Sequence, residues 1–155
     1  MPPKVSPIPE NCRAITAYPY MEDAAAAIEF YTRAFGAKEL FRMAGGPGKI
    51  AHAELAIGES RLMLADEAPQ IGAFSPKTIG GCPSTLLLYV EDVDRVVERA
   101  VAAGARLTRP VENKFYGDRS GMFEDPSGHS WSIATHVEDV PPDELERRMA
   151  AMKPQ

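Results

Sequence analysis

The same order of elements can be read twice along this chain, and a repeat of that kind limits the fold more than any single motif. In the first pass Arg13–Met21 alternates like a strand, with Ile15, Ala17 and Met21 on one parity and Thr16, Tyr18 and Tyr20 on the other. Pro19 cannot donate to a ladder, so this strand is expected at an edge or with a bulge. Asp23 then offers an N-cap, Ala24, Ala27, Ile28, Tyr31 and Phe35 recur at helical spacing, and Gly36 supplies the left-handed stop. Strands are expected over Lys38–Met43, Lys49–Ile57 and Ser60–Ala65, separated by the glycine-rich 44–48 and by Gly58-Glu59. In the second pass Thr85–Val90 is an apolar strand and Asp92 caps a helix. Val93, Val96, Val97, Ala100 and Val101 form its buried stripe, and Gly104 ends it. Strands over Arg106–Val111, Gly121–Glu124 and Ser130–His136 complete the set, the last two joined by the tight turn Asp125-Pro126-Ser127-Gly128. The pattern is βαβββ twice, an α+β fold.

A chain of 155 residues suits one domain with a core that needs no staples. The layout expected is a single domain over 1–155: a first module at 13–66, a second at 84–137 and a C-terminal helix within 138–155. Residues 67–83, rich in proline and glycine with little periodicity, read as a linker or a flap. Leu145, Met149 and Met152 line one side of the final helix, which either docks on its own domain or serves a dimer contact.

The net charge of −5 and pI near 5.2 argue against nucleic-acid binding, which needs a basic face to displace counterions from phosphate. No stretch has the length and apolarity to cross a membrane, and the N-terminal residues have no apolar signal core. A cytoplasmic protein is expected, with Cys12 and Cys82 as plain thiols.

Two motifs carry a family resemblance. Asp23-Ala24-Ala25-Ala26-Ala27-Ile28-Glu29-Phe30-Tyr31 resembles the first-helix signature of the vicinal oxygen chelate superfamily, which includes glyoxalases, extradiol dioxygenases and bleomycin-resistance proteins. Phe123-Glu124-Asp125-Pro126-Ser127-Gly128-His129 resembles its last hairpin. Ala51-His52-Ala53-Glu54-Leu55, Tyr116-Gly117-Asp118-Arg119-Ser120-Gly121 and Ile133-Ala134-Thr135-His136 resemble its PhnB-like branch. The resemblance implies paired βαβββ modules forming a sheet-lined pocket, and pairing into homodimers. Function does not follow from it, because one scaffold hosts many chemistries.

In metal-dependent relatives, His, Gln or Glu ligands come from the first and last strands of each half. The corresponding positions here are Thr16, Met63, Thr85 and Ser132. Neutral hydroxyls and a thioether are weak ligands for a catalytic divalent cation, so no metal and no other cofactor is expected.

Chemistry is then left to other groups. Strand alternation puts Ile50, His52 and Glu54 on one face, with Ala51, Ala53, Leu55 and Ile57 on the other. His52 and Glu54 are candidates for an acid/base pair, for ligand hydrogen bonding, or for a structural polar pair. Tyr18, Tyr20 and Tyr89 share parity with Thr16 and Thr85, as ligand contacts for a flat organic molecule or as core. Tyr116 and Ser132 are further ligand candidates. Arg119 either forks onto an anionic ligand or pairs with Asp118 or Glu124. His129 is expected to stabilise its turn, Trp131 to be core, and His136 to approach the pocket rim.

Three functions are open: a metal-free protein that binds a small organic molecule, as in sequestration or resistance; a lyase or isomerase using His52 and Glu54 as acid and base; or a metal-dependent enzyme with relocated ligands.

Overall fold

A computed structural model describes residues 5–152. It divides after Gly81 into two compact units, each built on one four-stranded mixed sheet. Among the described residues no helix is long and apolar enough to cross a membrane.

In the first unit, strand β1 (Tyr20–Met21) leads into helix α1 (Ala24–Phe35), then β2 (Lys38–Gly46), β3 (Lys49–Ile57) and β4 (Ser60–Asp66). The sheet order is β1-β4-β3-β2, with β1 parallel to β4 and the other pairs antiparallel. Helix α1 begins and ends where the sequence places it. The Asp23 carboxylate accepts from the Ala26 N–H, and Gly36 adopts φ 67° in the left-handed region. The helix buries Ala24, Ala27, Ile28, Phe30, Tyr31 and Ala34 against a sheet face made of Met21, Ala53, Leu55, Leu62 and Leu64.

In the second unit, β5 (Thr85–Tyr89), α3 (Val93–Ala102), β6 (Arg106–Asn113), β7 (Asp118–Glu124) and β8 (Ser130–His136) repeat the plan, in the order β5-β8-β7-β6 with β5 parallel to β8. Val93, Val96, Val97 and Ala100 of α3 face a core of Phe123, Trp131 and Ile133. The two halves also share a less obvious device. The Ala24 N–H at the start of α1 donates to Asp66 Oδ1 (3.0 Å), and the Val93 N–H at the start of α3 donates to Thr135 Oγ1 (3.0 Å). In each half the last strand satisfies a donor that the helix itself leaves unpaired.

Four sequence expectations are corrected. The first strand is expected from Arg13, yet only Tyr20–Met21 pairs continuously, with an isolated bridge from Ala17 to Leu62. Pro19 interrupts the donors between them. Strand β2 runs on to Gly46 and turns tightly through Pro47-Gly48 into Lys49, so part of the expected loop is hairpin. Strand β7 starts at Asp118 rather than Gly121. Gly121 lies mid-strand because a β-carbon there would press on Val111 of β6. The linker holds a 3₁₀ turn at Pro69–Ile71 and a short helix α2 (Pro76–Ile79), whose N-cap Ser75 is fully buried. Helix α4 (Pro142–Ala151) closes the described chain.

Candidate functional site

The face of the first sheet away from α1 carries a continuous row of polar side chains. Strand pairing builds it: Glu54 lies opposite Met63 and Ala56 opposite Arg61, so His52, Glu54 and Arg61 share one face. Parallel pairing of Ala17 with Leu62 and of Tyr20 with Ala65 sets Tyr18 and Tyr20 beside them. Arg61 Nη1 donates to Glu54 Oε2 at 2.6 Å. Glu54 Oε1 is 3.2 Å from His52 Nε2, and His52 Nδ1 is 2.6 Å from the Tyr18 hydroxyl. The side chains of His52, Glu54 and Arg61 are only 19–20% exposed.

The partners assign the protons. A carboxylate beside a guanidinium only accepts, so His52 carries its proton on Nε2 and its Nδ1 accepts from the Tyr18 O–H. Burial, then the neighbouring Tyr20 and Glu54, holds the Tyr18 phenol above the ordinary tyrosine range, which keeps it a donor. Both ring nitrogens of His52 are thus occupied by the protein. At the other end of the row from Arg61, Tyr18 meets free space. With Tyr20, Ile50 and Gln70–Ile71 of the 3₁₀ turn it lines a cavity of about 320 Å³. The Tyr18 and Tyr20 rings lie 5.4 Å apart, and the half-exposed Phe41 lies 6.1 Å from His52. Ile50 is buried even though it shares the parity of His52.

The equivalent face of the second sheet has its own polar group. Tyr89 donates to Asp118 Oδ2 (2.7 Å), His136 Nδ1 meets Asp118 Oδ1 (2.9 Å), and His136 Nε2 meets Asp139 (2.8 Å). Asp118 is buried; Tyr89 is exposed. Its hydrogen bonds to Asp139 and Asp118 raise the His136 pKa above the ordinary 6.5. A raised folded-state value means that His136 contributes stability below the unfolded value and loses it as pH rises through the folded one. We therefore expect the protection of the backbone amides around Asp139, corrected for intrinsic base-catalysed exchange, to fall as pH rises across the His136 titration followed by NMR. His136→Gln should remove that dependence.

Thr85 Oγ1 lies 3.2 Å from Ser130 Oγ, and Ser132 pairs with Leu87 and Met122, so Thr85 and Ser132 stand on this second face. The Tyr116 ring sits edge-on to Phe115 at 5.3 Å and stays half-exposed. Arg119 takes the structural role, but with a partner other than the expected ones. Its parity is that of Phe123, so it faces α3 and grips Asp94 through Nε and Nη2, both at 2.7 Å. Asp125 accepts from the Ser127 and His129 N–H groups and from Trp131 Nε1, fixing the last turn to the core.

Sequence reasoning missed Arg61, Phe41 and the role of Asp118. Arg61 had a usable signal: the two-residue turn Gly58-Glu59 pairs Ile57 with Ser60, and hence Ala56 with Arg61.

At the four positions where metal-dependent relatives hold their ion, the donors do not fit. Thr16 Oγ1 is turned to the Arg13 carbonyl (3.2 Å), Met63 offers a thioether, and Thr85 and Ser132 offer hydroxyls. Among the described residues no group of three or more His, Cys, Asp or Glu is arranged to hold a metal ion.

The sheets, their order and the two capped helices define a glyoxalase-type α+β fold. The sequence profile of the Glyoxalase/Bleomycin resistance protein/Dioxygenase superfamily matches residues 20–133, and the chain belongs to that superfamily. An uncharacterized protein of Mycobacterium bovis, Mb0911c, is 40% identical over 141 residues, covering 89% of this chain and 93% of that one. TioX from Micromonospora sp. ML1 superposes with a TM-score of 0.65 at 27% identity, covering 81% of this chain and 99% of its own. The PhnB protein from Bacillus cereus shares the fold with a TM-score of 0.61 at 21% identity, over 79% of this chain and 99% of its own.

Proposed function

We propose that the protein binds a small organic molecule without a metal, on the first sheet around Tyr18, Tyr20, His52 and Phe41. The observation that carries this reading is the saturation of His52. With Nδ1 on Tyr18 and Nε2 on Glu54, the imidazole has no nitrogen left for a substrate proton, so the row acts as a rigid support. What it presents is a fixed phenol hydroxyl among aromatic rings, suited to a flat, partly polar ligand. Pairing as a homodimer follows from the family resemblance, and the composition favours the cytoplasm. The second face, with Thr85, Tyr89, Tyr116 and Ser132, is the alternative place for such a ligand.

The test is a ligand-observed NMR screen of small aromatic compounds, with hits mapped on the His52 ring resonances. Hits should shift those resonances and bind about tenfold more weakly to Tyr18→Phe, the loss of roughly one hydrogen bond. Hits that leave His52 unmoved and bind Tyr18→Phe equally well would overturn the reading.

One observation favours a second reading. The Arg61–Glu54–His52–Tyr18 chain is continuous and can take up the Tyr18 proton, as a lyase or isomerase with Tyr18 touching the substrate would require. In that case Tyr18→Phe lowers turnover by a factor of ~10²–10⁴ rather than affinity alone.

A further inference from the structure

The opposite end of the polar row opens onto a different cavity. It measures about 670 Å³ and is lined by Asn11, Cys12 and Arg13 ahead of the first strand, Leu40 of β2, the Gly58-Glu59 turn and Arg61 of β4. Two arginines, Arg13 and Arg61, therefore line one concavity. Arg61 spends only Nη1 on Glu54. Among the described residues its Nε and Nη2, and the whole Arg13 guanidinium, make no hydrogen bond or ion pair. The unused edge of Arg61 is the one with which three other arginines of this chain grip carboxylates. Arg42 holds Glu39, Arg119 holds Asp94 and Arg147 holds Glu144, each through Nε and Nη2 at 2.7–2.8 Å. A nearby acid does not fill it: Glu59 lines the same cavity, stands exposed at the turn, and pairs with neither arginine.

We infer that this cavity is a second binding site, for a small organic carboxylate. The anionic group lies between the free edge of Arg61 and Arg13, and the organic part lies against Leu40. Bidentate capture by a planar guanidinium selects carboxylate geometry, and the second cation adds affinity that salt weakens. The cavity is large enough for a whole small molecule. This site stands apart from the one lined by Tyr18 and does not rest on the function proposed for it.

The test titrates benzoate into the intact protein by calorimetry and NMR, with benzamide as its uncharged isostere. Arg13→Gln is the test variant, because the Arg13 side chain makes no hydrogen bond or ion pair among the described residues, and circular dichroism checks its structure. Benzoate should bind at least tenfold tighter than benzamide, shift the Arg61 Nε–H resonance, and weaken with added salt. Arg13→Gln should erase most of the preference. Equal binding of the two probes, no binding of benzoate, or a benzoate affinity untouched by Arg13→Gln would each overturn the inference. The Tyr18→Phe measurements are unaffected by any of these outcomes.

Discussion

Asp66→Ala is expected to destabilise the protein by about 3 kcal/mol, seen as a drop in Tm of roughly 6–12 °C for a chain of this size. The residue is 8% exposed, and its carboxylate accepts from the Ala24 N–H at 3.0 Å and from the Ile50 N–H at 2.6 Å. Alanine orphans two backbone donors, one opening α1 and one opening β3, and each costs about 1–3 kcal/mol when buried without a partner. The Lys49 ammonium, 3.8 Å away and mostly exposed, adds little. Asp66→Asn keeps one acceptor and should lose about half as much. A chemical-denaturation series compares the variants. If Asp66→Ala costs less than about 1 kcal/mol, this carboxylate is not what ties the helix to the sheet.

Gly117→Ala should cost about 3 kcal/mol or more, for a different reason. Gly117 sits at φ 100°, where an L side chain is strained, and its added β-carbon would overlap the Glu138 carbonyl oxygen. The overlap has no cheap relief, because the Gly117 carbonyl also accepts from the Val137 and Glu138 N–H groups. The strap from Val137 to Val140 must leave, and α4 loses its mooring. Arg148 joins that helix to Glu138 (2.6 and 3.0 Å) and to the Phe115 carbonyl (3.0 Å). Hydrogen exchange should show the α4 amides opening first. An unchanged exchange pattern in Gly117→Ala would mean that the strap holds without this close approach.

Much of the fold was legible because local chemistry and long-range packing agree there. Asp23 and Gly36 bracket α1 by capping alone, and the apolar stripe of α3 needs only its spacing. Legibility fails where a segment depends on partners far along the chain. Residues 13–19 alternate like a strand, yet Pro19 and the short reach of β1 leave only isolated pairing. The Ser75 cap and Pro76 that start α2 lie inside the stretch that reads as a linker, in a helix too short to show periodicity. There the Glu67 carboxylate accepts the N–H of the buried Ser75, a partner eight residues back.

At the site, parity alone paired His52 with Glu54 and put Tyr18 and Tyr20 on one face with Thr16. It says nothing of Arg61, whose place depends on how β3 and β4 pair. Nor does it reveal that Arg119 turns towards Asp94 on α3, because helix and strand come together only in the folded unit.

The two residues that receive the first free amide of each long helix, Asp66 and Thr135, differ in charge, size and acceptor count. What the two halves share is thus a demand, an acceptor at the end of the last strand, and each half meets it with its own chemistry. Comparing the halves letter by letter passes over this likeness; comparing which atoms each position must satisfy brings it out.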